Sequence, residues 1–83
     1  MPHVSIKLYP GRTLEQKRLL TKRIVTAMGE TIGARPESIS VSFEEVKPED
    51  WDEKVVRPDI AERLDCVVKL PGYPSKYLKD SED

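Results

Sequence analysis

Hydrophobic and polar residues alternate from His3 to Tyr9, close to the start of the chain. The apolar side chains fall on one face of an extended segment: Val4, Ile6 and Leu8. A period of two is typical of a β-strand with one face against a core, so this run predicts a strand. The pair Pro10-Gly11 ends it, because proline cannot donate a ladder hydrogen bond and glycine tolerates turn geometry.

A helix is predicted over residues 14–32. Thr13 and Gln16 form a capping-box pattern at its start. Apolar residues then recur at helical spacing: Leu20, Ile24, Ala27 or Met28, and Thr31 or Ile32. Gly33 supplies a C-cap, and Pro36 forbids simple continuation of the helix.

A second alternating run extends from Ile39 to Val46, with Val41 and Phe43 on its apolar face. A strand, a long helix and a second strand form a βαβ unit, whose strands are expected to be parallel. One such unit has open strand edges and a bare sheet face. The sequence therefore predicts an α+β (α/β) protomer whose sheet is completed by oligomerisation.

The remaining sequence is expected to add a turn at Pro48–Trp51 and a second helix with Pro58 in its first turn. The apolar stripe of this helix is predicted as Ile60, Leu64, Val67 and Val68. Pro71-Gly72 stops the helix. We expect a single domain over residues 1–74 and a polar, frayed tail over residues 75–83.

Composition narrows the function classes. The 83 residues carry 15 acidic and 14 basic side chains, for a net charge of −1, which is unlike the basic footprint of a nucleic-acid binder. No apolar run is long enough to cross a bilayer, and the start of the chain is unlike a signal peptide, so we expect a cytoplasmic protein without a membrane partner. A chain this short is marginal alone, which again favours a homo-oligomer.

Cys66 is the only cysteine and His3 the only histidine. An internal disulfide is therefore impossible, and no ligand spacing suggests a metal site. A free thiol fits a reducing cytosol. Cys66 lies next to the apolar stripe of the second predicted helix, so we expect it to be buried as a small apolar residue. We expect His3 to lie at the surface.

Pro2 is the residue with unusual potential chemistry. Removal of Met1, expected before a small second residue, would convert the Pro2 amide into a secondary amine. A terminal amine has a pKa of about 8. Burial and a nearby cation both lower the pKa of an amine, and could bring it close to neutrality, where a general base works best.

The opening of the chain resembles the 4-oxalocrotonate tautomerase family. The resemblance is carried by Pro2 before a strand, by Gly11-Arg12, and by Glu15-Gln16-Lys17 at the start of a helix. It covers about residues 2–51. The later segment, with Trp51, the Pro58 helix and Pro71-Gly72-Tyr73, is similar to a short, dimeric subgroup of tautomerases.

The resemblance implies a cofactor-independent keto–enol tautomerase that acts on an enol or keto acid as a homodimer or higher oligomer, with the dimer favoured. It makes Pro2 the general base, Arg12 a substrate-carboxylate ligand that a neighbouring subunit can supply, and Trp51 an apolar wall of the pocket. The second arginine of the best-known members would fall at Ser40. Its absence favours a monocarboxylate substrate over a dicarboxylate.

Less specific interpretations remain open for each of these residues. Pro2 can simply start an edge strand, Arg12 can be a solvated turn residue paired with Glu15 or Glu44, and Trp51 can serve ordinary packing. At the level of function, the alternatives are a dehalogenase or decarboxylase of a small carboxylic acid on the same fold, or a non-catalytic oligomeric binding protein.

Overall fold

The computed structural model describes residues 1–78, in two compact units that meet between Glu45 and Val46 in the sequence. The first unit consists of strand β1 (His3–Leu8), helix α1 (Leu14–Ile32) and strand β2 (Ser40–Glu45). The two strands are parallel. The predicted β-α-β order and strand direction are confirmed, and the sheet has two strands with both outer edges open.

Helix α1 begins and ends where the sequence predicts, because its caps are local. The backbone N–H of Gln16 donates to the Thr13 hydroxyl at 3.0 Å, and the Thr13 N–H donates to the Gln16 side chain at 2.8 Å. This reciprocal pair satisfies amides that the first turn leaves without helical partners. Gly33 closes the helix with φ of 69°, a left-handed conformation that costs glycine little.

The half-buried face of α1 differs in part from the predicted stripe. Ile24 and Met28 are half-buried as expected, whereas Leu20 and Ile32 are exposed. The face begins instead at Lys17, whose ammonium donates to the Glu45 carboxylate at 2.9 Å. Strands lie about 4.8 Å apart, so a two-stranded sheet is narrow and covers only part of the stripe. None of residues 1–45 is fully buried.

The second unit contains a helix with π-type hydrogen bonding (α2, Asp52–Ile60) between two 3₁₀ turns, Pro48–Asp50 and Ala61–Cys66. The turn predicted near Pro48 is therefore present. A second helix is present as predicted, but its predicted start at Pro58 is wrong, because α2 begins at Asp52 and holds Pro58 inside it. Proline has no N–H to donate, and the wider π-type turn accommodates it.

Burial in the second unit is concentrated on three valines: Val46, Val55 and Val56. The predicted stripe is not formed. Leu64 and Val68 are exposed, because non-helical backbone at Arg63 breaks the segment that would have aligned them. Cys66 is also exposed, which corrects its predicted burial.

The beginning of the predicted tail forms hydrogen bonds with α2. The Ser75 hydroxyl donates to the Asp52 carboxylate at 2.9 Å, and the Tyr77 hydroxyl donates to Glu53 at 2.6 Å. Residues 79–83 of the tail lie outside the described residues. Within residues 1–78, no helix has the length and apolar character needed to span a membrane.

Candidate active site

Pro2 lies immediately before β1 and is half-buried. Its carbonyl oxygen accepts a hydrogen bond from the Ser40 N–H at 3.2 Å, which anchors Pro2 to the first residue of β2. Met1 is fully exposed, at 104% of its reference area. Removal of Met1 would therefore free the Pro2 nitrogen without loss of packing.

An open depression with a volume of about 490 Å³ lies beside Pro2. It is formed by the two terminal residues together with the end of α1 and the loop that leads to β2. The lining residues are Met1, Pro2, Ile32, Gly33, Ala34, Arg35 and Ser38. Pro2 is thus placed on a concavity that can admit a small molecule.

Arg35 is the lining residue that sequence analysis missed. Its guanidinium forms an ion pair with the Glu37 carboxylate at 2.9 Å, and both side chains are exposed. The available signal was its place in the sequence, between the C-cap glycine of α1 and Pro36. That position predicts a loop, but it does not predict that the loop brings Arg35 beside Pro2.

Ser40, where the resemblance puts a second arginine, forms a hydrogen bond with His3. His3 Nδ1 lies 2.6 Å from the Ser40 hydroxyl, and Nε2 lies 3.5 Å from the Ser42 hydroxyl. These side chains share one face of the sheet, because His3 is paired with Ser40 in the ladder. His3 is exposed, as predicted.

Arg12 is not brought to Pro2 within one chain. Strand β1 runs between them, and its six residues at about 3.3 Å per residue make it roughly 20 Å long. Arg12 is exposed and follows Gly11, whose φ of 125° makes the turn. Within residues 1–78, Arg12 forms no ion pair with Glu15 or Glu44.

Trp51 lies in the second unit, directly before α2, and is half-buried. Its indole N–H donates to the Tyr73 hydroxyl at 3.0 Å. Sequence analysis noted Tyr73 only as part of a motif and did not predict this contact. The hydrogen bond fixes the orientation of the indole ring. A fixed ring is compatible both with ordinary packing and with a role as a pocket wall.

Glu53 is the centre of the strongest charge cluster in the second unit. Hydrogen bonds from Tyr77 and Lys76, followed by the positive charges of Lys76 and Arg57, hold the pKa of the Glu53 carboxyl below its ordinary value of 4.5. Its bond to Glu53 in turn raises the pKa of the Tyr77 hydroxyl. These contacts join the segment around Tyr77 to α2, which is a structural role. Among residues 1–78, no group of three histidine, cysteine or carboxylate side chains is placed to hold a metal ion.

Comparison with known proteins places the chain in a family. The family model for tautomerase enzymes matches residues 2–56. Tautomerase PptA of Pectobacterium atrosepticum is 36% identical over 74 residues, which covers 88% of this chain and 97% of that protein. A probable tautomerase of Xylella fastidiosa is 34% identical over 73 residues, covering 88% and 89% of the two chains.

Solved structures agree with this placement. The crystal structure of YwhB, a homologue of 4-oxalocrotonate tautomerase, is 46% identical, has a TM-score of 0.53, and covers 55% of this chain and 75% of that chain. A structure described for trans-3-chloroacrylic acid dehalogenase activity is 31% identical, with a TM-score of 0.56 and coverage of 59% and 92%. The β-α-β protomer, with Pro2 at the head of its first strand, belongs to the tautomerase family.

Proposed function

We propose that this protein is a cofactor-independent keto–enol tautomerase of enol carboxylates and 2-keto acids, with the Pro2 amine as its general base after Met1 is removed. The observation that carries the proposal is the position of Pro2. It is anchored to β2 through its carbonyl, lies beside an open depression of about 490 Å³, and follows an exposed methionine. Family membership supports tautomerase chemistry.

The reaction moves one proton between two atoms of the substrate. The Pro2 nitrogen takes the proton of the enol hydroxyl, and the O–H electrons form the carbonyl. The C=C electron pair then takes a proton from the protonated amine at carbon. Atoms and charge balance within the substrate, so the reaction needs neither an oxidant nor an organic cofactor. The base must be neutral at working pH, which requires a lowered amine pKa.

Arg12 is proposed to bind the substrate carboxylate from a second copy of the chain. Its guanidinium can hold a carboxylate with two hydrogen bonds. Strand β1, roughly 20 Å long, runs between Pro2 and the turn that carries Arg12 in the same chain, which favours an Arg12 supplied by a partner. The two open edges of the sheet offer a surface for such a partner, and we propose a homodimer.

Trp51 is proposed as an apolar wall that excludes water from the base. We place the enzyme in the cytosol, which suits the exposed free thiol of Cys66.

Subunit mixing tests the proposal. In protein that starts at Pro2, Pro2→Ala and Arg12→Ala should each lower the ketonisation rate of phenylpyruvate enol about 100-fold. In a random mixture, half of the dimers are hybrids with one intact pair, so about a quarter of wild-type activity should return. No recovery would show that the shared site is wrong. Full activity of Pro2→Ala would contradict the role of Pro2.

Dehalogenation of a small carboxylic acid is the second candidate. It is favoured by the likeness to the structure described for trans-3-chloroacrylic acid dehalogenase activity. It requires a residue that activates water, which tautomerisation does not. Release of chloride from 3-chloroacrylate by protein that fails to ketonise phenylpyruvate enol would replace the tautomerase proposal with this one.

A further inference from the structure

We propose that Arg35 binds the substrate carboxylate in the depression beside Pro2 of the same chain. The inference rests on the proposed function and adds a second cationic ligand to it. Arg35 and Pro2 line one depression, whereas Arg12 lies at the other end of β1. Arg35 would thus act within the chain that carries the base, and Arg12 across the interface.

The backbone of Arg35 is fixed by its neighbours in sequence. A residue before proline is restricted to extended geometry, and Arg35 precedes Pro36 with φ of −81° and ψ of 141°. The Ser38 N–H and hydroxyl both donate to the Arg35 carbonyl, at 2.9 Å and 2.8 Å. The Arg35 side chain therefore leaves the rim from a defined backbone position.

Among the described residues that line the depression, only Arg35 carries a positive charge that can attract an anion. Helix α1 ends at the depression, and a helix carboxyl end carries partial negative charge that repels a carboxylate. The charge on the protonated Pro2 amine cannot substitute for that of Arg35, because the base must be neutral before it reacts.

The substrate carboxylate can replace Glu37 as the ion-pair partner of Arg35. The Arg35 side chain is 81% exposed and that of Glu37 is 66% exposed. An ion pair this exposed is weak. A substrate carboxylate that takes two guanidinium hydrogen bonds can displace Glu37, so Glu37 would act as a competitor that holds Arg35 on the rim when the site is empty.

Ser40, the position at which the resemblance puts a second arginine, cannot bind the substrate carboxylate through a positive charge. Ser40 carries no charge, and its hydroxyl is engaged with the His3 ring at 2.6 Å. The anion-binding capacity within the chain is therefore assigned to the loop between α1 and β2 rather than to β2.

Steady-state kinetics on protein that starts at Pro2 gives the first test. Arg35→Ala should raise KM for phenylpyruvate enol about 10-fold or more with a smaller change in kcat, and Arg35→Lys should fall between it and wild type. Glu37→Gln should lower KM about 2-fold to 5-fold by freeing the guanidinium. Arg23→Ala, which removes a charge from an exposed position on α1, is the matched control and should leave KM unchanged. An unchanged KM in Arg35→Ala would overturn the inference.

A nuclear magnetic resonance titration of the Pro2 amine gives a readout that a purely structural role would not move. A nearby cation lowers an amine pKa, so Arg35→Ala should raise the pKa of the Pro2 amine while Arg23→Ala does not. The same pKa in wild type and Arg35→Ala would count against the assignment.

Subunit mixing separates Arg35 from Arg12. A mixture of Pro2→Ala and Arg35→Ala chains contains no chain with both residues, so activity should not recover. Recovery to about a quarter of wild type would show that Arg35 acts across the interface and would overturn the placement in one chain.

Failure of the tautomerase proposal can be distinguished from failure of the inference about Arg35. If wild-type protein starting at Pro2 has no tautomerase activity, that function is wrong. Binding of 3-phenylpropanoate, compared with the neutral 3-phenylpropanamide, then tests Arg35 by itself. Preference for the anion that is lost in Arg35→Ala supports the inference, and equal binding of both probes contradicts it.

Discussion

The two units of the chain combine regular structure and burial in opposite ways. Residues 1–45 form two paired strands and a well-capped helix, yet none of these residues is fully buried. From Val46 onward the helices are short or of π type, yet all three of the buried residues among residues 1–78 lie there. Regular hydrogen bonding therefore does not require a dry core, and a small core can form around irregular backbone.

The two units differ in how much apolar surface each buries by itself. The second unit has its own apolar centre at Val46, Val55 and Val56. The first unit leaves large apolar side chains such as Leu19 and Ile32 exposed and keeps both sheet edges open. Since the hydrophobic effect scales with apolar area removed from water, we expect the first unit to gain its missing burial from a second copy.

The largest stability effect is expected at the centre of the second unit. Val56→Ala removes two methyl groups from a side chain with 0% exposure and should lower the free energy of unfolding by about 2 kcal/mol. Val68→Ala is the matched control, because Val68 is 102% exposed and should cost almost nothing. Urea denaturation followed by Trp51 fluorescence measures both. Equal losses would mean that the exposed valine is covered in the assembled protein.

Dilution of the protein tests whether a second copy buries the exposed apolar surface of the first unit. If a homodimer supplies it, each tenfold dilution should lower the apparent free energy of unfolding by about 1.4 kcal/mol and lower Tm with it. Thermal unfolding at several protein concentrations, together with sedimentation equilibrium, provides the measurement. A concentration-independent Tm from a monomer would show that the first unit is stable with its apolar surface exposed.

The helix cap of the first unit should contribute somewhat less. Thr13→Ala removes the hydroxyl that accepts from the Gln16 N–H and should cost about 1 kcal/mol. Thr13→Ser keeps the hydroxyl and should stay near wild type. Circular dichroism during denaturation checks both variants. No loss in Thr13→Ala would mean that α1 depends on packing rather than on its cap.

The smallest effect is expected from the charge cluster on α2. Because the pKa of Glu53 is lowered in the folded state, its stabilising contribution is present above the ordinary value of 4.5 and is lost as pH falls through the lowered pKa. Glu53→Gln should therefore be less stable than wild type at neutral pH and approach it at acidic pH. Glu49→Gln is the control. A stability difference that does not change with pH would contradict the assignment.

Sequence predicted the first unit well because its determinants are local. The α1 boundaries follow from Thr13, Gln16 and Gly33, which act within a turn of the chain, and alternation alone identified both strands. The predicted start of the second helix at Pro58 is wrong, because proline fits a first helical turn and also the wider π-type turn inside α2. The burial of Val55 and Val56, a property of packing, places Pro58 inside α2 instead.

The residues of the candidate site also differ in whether a local sequence signal identifies them or only the folded chain does. Pro2 could be predicted as a candidate base from its position, since the proposed chemistry depends only on removal of Met1. Arg35 could not, because its place beside Pro2 depends on the return of the loop after α1. Likewise, no periodicity in the sequence indicates that Tyr73 accepts the indole hydrogen bond of Trp51.

The most direct test of the central claim compares two forms of the protein that differ only at the terminus. One form starts at Pro2, and the other keeps one residue in front of it; intact mass spectrometry verifies both. Because an amide nitrogen is not a base, the extended form should lose nearly all ketonisation of phenylpyruvate enol, while the form starting at Pro2 shows a rate that rises with pH through the pKa of its amine. Equal kcat/KM for the two forms would contradict Pro2 as the general base.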